Sequence, residues 1–410
     1  MDHIIRSLLD TDFYKFTMGQ LVFRAFRDVP VKYAFKLRTK GVDLAQYISM
    51  DQLRRELDHT MELHFQDNHI RFLRGTPKNA AGDRMFYEDY LGHLANLTLP
   101  QYKLTDDFTL EFPGSWATAI YWETYALSII SELYYRGLLD RMSTFEREVI
   151  FAQGKVRLAE KIRKLRTRPN MTFSDFGTRR RFSRIWQEYV VKTFASELPA
   201  TQFIGTSNVQ MSMDLGLEPK GTFAHELDMG ISGVMHGSDD EIRQSHNKVL
   251  ELWYELYGEG LSVALTDTYG TDFFFRDMTR EQARLWRGLR QDSADPFAFG
   301  QKAIKFYRDF DIDPRTKLVV FSDGLDVDLM ISLYDMFTES FKVTHGLGTN
   351  ATNDLGLPPL SMVVKLVESN GHGTVKLSDN IEKAVGTPED IIRFKRIFGY
   401  NSTYSSTCTY

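Results

Sequence analysis

From Met171 onward, short apolar runs alternate with polar clusters that contain glycine or charged residues. The eight runs, each with the cluster that follows it, are MTFSDFGTRR, TQFIGTSN, GTFAHE, LSVALTDTYGTD, RGLRQDS, KLVVFSDG, FKVTHGLGTN and SMVVKLVESNG. Segments between most of them, such as 239–257 and 298–310, are long enough for helices. Strands that alternate with helices indicate a parallel sheet. About eight strands over roughly 200 residues predict an irregular β/α barrel, although an open doubly wound sheet shows a similar pattern.

The part of the chain before residue 108 has a different pattern, in which strands and helices do not alternate regularly. VKYAFKL, at 31–37, predicts a strand, and the stretch 50–65 predicts a helix. Further helices are predicted over 118–135 and 146–166. The fold class is therefore predicted as α/β, with a separate α/β region ahead of the barrel.

Composition and charge exclude several classes of protein. The chain has 410 residues, of which 42% are hydrophobic, enough for a sizeable core. Its net charge of −5 gives no overall attraction to nucleic acid or to an anionic membrane. One cysteine, Cys408, excludes an intrachain disulfide and a cysteine-based zinc site. The start of the sequence lacks the apolar core of a signal peptide, and 117–130 is too short and polar to span a bilayer. We therefore expect a soluble, cytoplasmic protein.

Several of the polar clusters have the chemistry of an anion site. FGTRRRFS places three arginines after a strand, and arginine makes bidentate contacts to phosphate and carboxylate. The turns SDG and GLGTN follow apolar runs, and their glycines let backbone N–H groups approach a phosphate closely. Surface salt bridges and plain tight turns are the alternatives for these motifs.

Carboxylates and one histidine also follow predicted strands, at the same position as the anion motifs. RQDSADP contains Arg290, Asp292 and Asp295, and TDTYGTD contributes two more aspartates, which indicate magnesium or ribose binding. The alternative for each aspartate is a helix N-cap. His225, in GTFAHE, is open between a structural residue, a proton shuttle and a nucleophile; no second His or Cys stands at the spacing of a metal ligand.

Nine motifs, taken in order, resemble the nicotinate phosphoribosyltransferase family from Leu8 to about Asp379. They are TDFYKFTM, DFGTRRRFS, GTSN, GTFAHE, LTD, RQDSADP, VFSDGLD, GLGT and VVKLVE. The resemblance implies a type II phosphoribosyltransferase fold, with an irregular β/α barrel and an N-terminal α/β domain that the C-terminal segment rejoins. It implies the division 1–135 (N-terminal α/β domain), 136–366 (barrel catalytic domain) and 367–410 (C-terminal segment packed on the N-terminal domain).

The resemblance also implies an activity. Nicotinate and phosphoribosyl pyrophosphate (PRPP) would give nicotinate mononucleotide and diphosphate, as the first step of NAD salvage from nicotinate. Mg²⁺ would be required, and ATP would be hydrolysed as a co-substrate through a phosphohistidine on the enzyme. The protein would act as a homodimer whose active sites lie at the subunit interface.

Site residues follow from the resemblance, motif by motif. The implied catalytic residues are His225, as the phosphohistidine, with Arg290 and Asp292. Nicotinate would bind to Tyr14, Phe176, Ser207, Thr222 and Arg290, with Tyr14 reaching into the neighbouring subunit's site and stacking opposite Phe176. The phosphates of PRPP would bind to Arg179, Gly324, Gly346, Gly348 and Thr349. Asp292 would contact ribose or Mg²⁺.

Two positions bear on the choice of substrate and on the conformation of the RQDSADP loop. Related enzymes that use nicotinamide have an aspartate at the place of Ser207, so Ser207 favours the acid over the amide. Ala294 stands where the family has glycine, and a positive φ is costly for alanine. The alternatives are a nicotinamide or quinolinate phosphoribosyltransferase, and a non-catalytic barrel that senses nucleotides.

Overall fold

The computed structural model of the chain describes residues 2–79 and 81–406, so Cys408 lies outside the described residues. Their strands form two separate sheets. The strands are β1 Pro30–Leu37, β2 Lys103–Leu104, β3 Leu110–Ser115, β4 Thr172–Asp175, β5 Phe203–Thr206, β6 Val263–Leu265, β7 Gly288–Gln291, β8 Leu318–Phe321, β9 Lys342–Leu347, β10 Met362–Ser369 and β11 His372–Gly373.

The first sheet is antiparallel and joins the two ends of the chain. Its strand order is β11-β10-β1-β3-β2. β1 lies between β3 and β10, with Tyr33 opposite Phe112 on one side and Phe35 opposite Val364 on the other. The predicted strand at 31–37 is therefore confirmed, and its partner β10 comes more than 300 residues later in the chain.

The second sheet is parallel and has the order β5-β4-β9-β8-β7-β6. Six of the eight predicted strands are therefore confirmed. Two are wrong in different respects. GTFAHE forms no strand, because residues 221–224 run as irregular chain into a helix. SMVVKLVES does form a strand, β10, and only its predicted place in the parallel sheet is wrong, because it pairs in the antiparallel sheet. Among the described residues the ladder ends at β5 and β6, with one isolated bridge from Thr206 to Pro219, so closure into a barrel stays a prediction.

Helices connect most of the parallel strands and surround both sheets. The α-helices are α1 Tyr14–Ala25, α2 Met50–Glu62, α3 Asp67–Gly75, α4 Glu88–Ala95, α5 Trp116–Ala119, α6 Trp122–Leu139, α7 Thr144–Leu165, α8 Arg184–Glu197, α9 Val209–Leu215, α10 Glu226–Val234, α11 Asp239–Tyr257, α12 Thr271–Asp277, α13 Arg280–Leu285, α14 Pro296–Asp309, α15 Val327–Phe337, α16 Thr349–Thr352 and α17 Pro388–Phe398. Short 3₁₀ helices cover Leu44–Gln46, Thr178–Arg180, Gly258–Leu261, Pro314–Thr316 and Ile381–Lys383.

The helix boundaries follow from capping residues in the sequence. α7 begins with a capping box in which Ser143 and Glu146 bind each other's backbone N–H groups. The Ser238 side chain caps α11, whose bounds are those predicted from the spacing. Asp295 caps α14 by accepting from Phe297 and Ala298. The N-cap alternative therefore accounts for this aspartate.

The buried helix α6 connects the two sheets. It packs against β10 of the antiparallel sheet and against the 178–180 turn that follows β4. Residues 122–135 of this helix are all buried, including Glu123. Among the described residues, no helix combines the length and the apolar character needed to cross a bilayer.

The C-terminal segment has two environments. β11 extends the antiparallel sheet, as the predicted return to the N-terminal domain requires. α17 instead packs on the predicted catalytic domain, because Phe398 stacks on Tyr269 at 3.9 Å between ring centroids and meets Phe273 edge to face at 4.8 Å. β10 also crosses residue 366. The exact bounds 1–135, 136–366 and 367–410 stay predictions.

Candidate active site

Nine of the twelve predicted site residues line one cavity of about 130 Å³ at the carboxyl ends of the parallel strands. These nine are Tyr14, Phe176, Arg179, His225, Arg290, Asp292, Gly324, Gly348 and Thr349. Phe176, Asp292 and Gly348 each directly follow a parallel strand. The carboxyl ends of parallel strands meet at one edge of a sheet, which is why motifs far apart in the sequence converge here.

The three consecutive arginines of FGTRRR have different roles. Arg179 and Arg180 line the cavity. Arg181 is fully buried and holds both carboxylate oxygens of Asp10, at 2.7 and 2.8 Å. This division confirms that only part of the motif faces the site, because consecutive residues of a turn point in different directions.

The two aromatic residues predicted to sandwich nicotinate lie in the same chain's cavity. The Tyr14 hydroxyl donates to Glu123 at 3.0 Å, and the Arg179 guanidinium lies 5.5 Å from the Tyr14 ring centroid. Arg290 lies 5.9 Å from the centroid of Phe176. No ring contact joins Tyr14 to Phe176 among the described residues, so each ring faces a guanidinium instead of its predicted partner.

Gly346 acts through Phe176 and does not line the cavity. A Cβ atom at residue 346 would lie 2.4 Å from Cδ2 of the Phe176 ring. The glycine therefore gives the ring its space, since no side chain fits at that distance. Its contact with phosphate stays a prediction.

Arg290 and Asp292 form a fixed pair at the end of β7. The Arg290 Nη2 atom donates to Asp292 Oδ1 at 3.0 Å, and its Nε donates to the Ser322 hydroxyl at 2.8 Å. Ser322 in turn donates to Asp292 Oδ1 at 3.0 Å. The remaining Nη1 atom is 3.5 Å from the Phe223 carbonyl. These contacts hold the guanidinium plane against the cavity wall.

His225 directly precedes α10 and is 4% exposed. Its Nδ1 lies 3.0 Å from the Thr268 hydroxyl. Its Nε2 lies 2.7 Å from Lys376 Nζ, 3.1 Å from Asp292 Oδ2 and 3.7 Å from Asp267 Oδ1. The ring is therefore surrounded by functional groups from three different loops.

The charges around His225 determine which form it takes near neutral pH. Burial, and next the Lys376 ammonium, lower the pKa of His225 to about 4. Burial opposes ionisation of Asp292, but Arg290 and His225 hold the pKa of this carboxyl well below its usual range. The site therefore combines a neutral imidazole with an ionised carboxylate at pH 7.

Two carboxylates beside His225 fit a divalent cation. The Asp267 Oδ1 atom is buried and accepts no hydrogen bond from any described residue. One ligand atom each from His225, Asp267 and Asp292 lie within 4.8 Å of one another. Carboxylate oxygens are the ligands that Mg²⁺ prefers, so Asp267 and Asp292 suit this ion.

Basic side chains outnumber acidic ones around the cavity by seven to three. The basic residues are Arg38, Arg179, Arg180, Arg290, Lys365, Lys376 and Lys383, and the acidic residues are Glu123, Asp292 and Asp323. Such a surplus suits a polyanion. Burial lowers the pKa of Lys365 to about 7, so this lysine gains most from an anionic neighbour.

Sequence reasoning missed the three lysines and Glu123. Lys365 interrupts the apolar run MVVKLVE, and a charge inside a buried strand is the signal that could have identified it. Lys376 lies outside the named strands and helices and Lys383 ends the short 3₁₀ helix Ile381–Lys383, and neither has such a signal. Lys383 Nζ binds Asp323 at 2.5 Å and thereby closes the SDG turn onto the C-terminal segment.

Two predicted nicotinate residues lie elsewhere. Thr222 lines a second cavity, of about 630 Å³, which shares Phe176 and Arg290 with the first. Ser207 lines neither cavity; it is buried, and its hydroxyl donates to Asp12 at 2.6 Å. The role of Ser207 in the choice between the acid and the amide stays a prediction.

The loop after Asp292 has the strain expected from its sequence. Ala294 has φ +60°, a left-handed conformation that favours glycine. The Ser293 hydroxyl still donates to Asp267 at 2.7 Å, so the loop remains connected to the site.

Comparisons with known proteins agree with this geometry. Residues 171–402 match the nicotinate phosphoribosyltransferase (NAPRTase) family, and residues 9–131 match the N-terminal domain of that family. A nicotinate phosphoribosyltransferase structure from Vibrio cholerae is 32% identical, with a TM-score of 0.86 over 97% of this chain and 94% of that one. The enzyme from Porphyromonas gingivalis is 29% identical, with a TM-score of 0.85 over 97% of this chain and 100% of that one.

A third solved structure extends the similarity to a eukaryote. A putative nicotinate phosphoribosyltransferase from Saccharomyces cerevisiae is 28% identical, with a TM-score of 0.83 over 98% of this chain and 100% of that one. The family match covers more than half of the chain and the fold matches over nearly all of it. The chain therefore belongs to the nicotinate phosphoribosyltransferase family and is an enzyme of NAD biosynthesis.

Proposed function

We propose that this enzyme couples phosphoribosyl transfer to ATP hydrolysis: nicotinate, PRPP, ATP and water give nicotinate mononucleotide, diphosphate, ADP and phosphate. The observation that supports the coupling is a buried, neutral His225 at hydrogen-bond distance from Lys376, in a cavity with a surplus of cations. Neutral imidazole is a competent nucleophile toward a phosphoryl group, and the cations attract polyphosphate.

Nicotinate binds between Phe176 and the other groups of the cavity wall, with its carboxylate on Arg290. The pyridine nitrogen is already a nucleophile, so the transfer needs alignment and no general base. Tyr14 lines the same cavity but donates its hydroxyl to Glu123, so stacking on nicotinate requires its ring to turn toward Phe176. Thr222 contributes from the second cavity, which reaches Phe176 and Arg290 from the other side.

PRPP binds along the ends of β8 and β9. The turns containing Gly324, Gly348 and Thr349 hold its 5′-phosphate, and Arg179 neutralises the departing diphosphate. Negative charge builds on that leaving group as the bond to ribose breaks, so cations placed there stabilise the transition state more than the substrate. Asp292 contacts the ribose or the metal.

In the ATP step, His225 attacks the γ-phosphorus and ADP leaves. Lys376 stabilises the transferred phosphoryl group, because its ammonium lies beside the attacking nitrogen. Mg²⁺ bound by Asp267 and Asp292 would neutralise phosphate charge there. The chain is expected to work as a homodimer, which stays a prediction, as does the placement of Tyr14 in a partner's site.

The ATP step is tested by transfer of label from γ-phosphate-labelled ATP. We expect acid-labile label on the wild type and none on His225→Asn, because the nucleophilic nitrogen is removed. His372→Asn is the matched control, since His372 is exposed and lies outside the cavity. Undiminished label on His225→Asn would place the phosphoryl group elsewhere.

The choice of base is tested by incubating the protein with PRPP and one base at a time. We expect product with nicotinate. Product only with nicotinamide, or only with quinolinate, would overturn the assignment, and nucleotide binding without any turnover would support the sensing alternative.

A further inference from the structure

The two nitrogens of the His225 ring have partners of opposite kinds. Nδ1 faces the Thr268 hydroxyl at 3.0 Å, and that hydroxyl donates to Asp228 Oδ2 at 2.9 Å. Asp228 lies three residues after His225, so both side chains lie on one face of α10, next to the loop after β6. Thr268 and Asp228 are each 2% exposed, so water does not replace these bonds.

The proton of Thr268 determines the state of Nδ1. A hydroxyl has a single proton to donate and two lone pairs that accept. Since Thr268 donates to Asp228, it can only accept from the ring, and Nδ1 must therefore hold a proton. The opposite arrangement would leave the Asp228 carboxylate buried without its donor, which is unfavourable for a buried charged group.

The neighbours of Nε2 lead to the same conclusion. The Lys376 ammonium has only donors, and at 2.7 Å it requires a lone pair on Nε2. A proton on Nε2 would suit Asp292 Oδ2 at 3.1 Å, but it would set two donors against each other at the shorter distance. Asp292 still accepts from Arg290 and Ser322 through its other oxygen.

We propose that Thr268 and Asp228 are positioning residues that hold His225 as the Nδ1–H tautomer and so keep on Nε2 the lone pair that attacks the γ-phosphorus of ATP. This inference rests on the ATP step proposed above. In the step, a bond forms between Nε2 and the γ-phosphorus, and the bond from phosphorus to the bridging oxygen breaks. Its electron pair leaves with ADP. The Nδ1 proton stays on the ring, and the positive charge that develops is stabilised by Asp228 through Thr268.

The tautomer can be read directly in the protein before ATP is added. Histidine-selective ¹⁵N labelling at pH 7.5, with His225→Asn to assign the signal, gives the two-bond proton–nitrogen correlations that distinguish the tautomers. We expect the wild-type pattern to show a proton on Nδ1. Thr268→Val is isosteric but lacks the hydroxyl, so its ring should move toward the Nε2–H form, and Thr268→Ser should restore the wild-type pattern.

Phosphorylation then follows the tautomer. We expect the rate of His225 labelling to fall on the order of 10²- to 10⁴-fold in Thr268→Val, as when a catalytic imidazole has the wrong tautomer. Thr268→Ser should stay within a few-fold of the wild type. Antibodies that distinguish the two phosphohistidine isomers should find the phosphoryl group on Nε2 in the wild type.

Each outcome separates this inference from the ATP step itself. A wild-type ring protonated on Nε2, or full labelling of Thr268→Val with an unchanged ring pattern, overturns the positioning role. A wild type with the proton on Nδ1 but no label supports the tautomer and overturns the ATP step. If Thr268→Val does not fold, the wild-type spectrum alone still decides the tautomer.

Discussion

Asp10 and Asp267 are two buried carboxylates of the same protein with opposite surroundings. Both oxygens of Asp10 accept from Arg181, and Asn208 adds a third donor. Asp267 Oδ2 accepts from Ser293 and Ser378, whereas its Oδ1 accepts from no described residue. A buried charge is stable only when it is paired and hydrogen-bonded, so the incomplete shell of Asp267 indicates a binding role.

The groups that bind the two carboxylates also differ in the strain of their backbone. Both hydroxyls that bind Asp267 come from strained chain: Ser378 has φ +59°, and Ser293 precedes Ala294 at φ +60°. Neither donor to Asp10, Arg181 or Asn208, has a positive φ or adjoins a residue that has one. Strain of this kind persists at functional sites because the surrounding structure holds it in place.

The largest expected effect is on stability, at Asp10, where both carboxylate oxygens have hydrogen-bond donors. Replacing Arg181 by methionine leaves Asp10 charged and unpaired inside the protein, so we expect the free energy of unfolding to fall by about 3–5 kcal/mol. Urea denaturation measures this change. In the double variant Asp10→Asn/Arg181→Met the charge is removed, and much of the loss should be recovered; equal losses in the single and double variants would contradict the pairing.

At His225 and Lys376, beside Asp267, we expect a smaller effect on stability and a large effect on the rate of phosphorylation. Lys376→Met removes the cation beside His225, so the pKa of the imidazole should rise from about 4 toward its ordinary value near 6.5. ATP-dependent labelling requires neutral imidazole. Burial, the largest cause of the low pKa, remains in the variant. We therefore expect the wild-type rate to stay level between about pH 5.5 and 8, and the variant rate to begin falling at a higher pH than the wild-type rate, on top of a loss of about 10²-fold.

The pH profile of labelling, with urea denaturation alongside, measures this prediction. Lys342→Met is a matched control, because Lys342 is exposed and lies outside the cavity. A Lys376→Met profile with the same shape as that of the wild type would show that the ammonium does not control protonation of His225.

The smallest expected effect is at the strained loop. Ala294→Gly relieves the left-handed conformation, which costs alanine roughly 1–2 kcal/mol, but it adds the conformational entropy of glycine to the unfolded chain. We therefore expect the free energy of unfolding to rise by about 0.5 kcal/mol. Ala298→Gly, in the exposed first turn of α14, should lower it by about as much. Two losses of equal size would show that Ala294 is not strained.

The sequence predicted the positions of site residues better where a motif follows a strand than where it does not. Phe176, Asp292 and Gly348 line one cavity because each directly follows a parallel strand, and such ends meet by topology. GTFAHE has the same appearance but forms no strand, since the tertiary position of α10, not a ladder, places His225. The contact of Ser207 with Asp12 could not be predicted for a related reason: Asp12 comes from the far N-terminus, and sequence order carries no information on that contact.

Lys376 and Lys383 lay beyond prediction for another physical reason. Neither lies in a segment with hydrophobic periodicity, since Lys383 ends a three-residue 3₁₀ helix and Lys376 lies outside the named strands and helices, so neither their direction nor their burial follows from local sequence. The pairing of β10 with β1 could not be predicted for a similar reason. The pattern of a strand shows that it is buried, but it does not show which distant strand it pairs with. By contrast, local sequence was sufficient to predict the six parallel strands and the bounds of α11.

The pairing of β1 with β10 has a consequence for how the protein is made. During synthesis β1 leaves the ribosome more than 300 residues before its partner, so one edge of the forming sheet has open N–H and C=O groups throughout that time. Such an edge is prone to wrong pairing with another nascent chain. The lysines of the site arrive equally late. The open edge of β1 is therefore covered only after β10, in about the last eighth of the chain, has been translated.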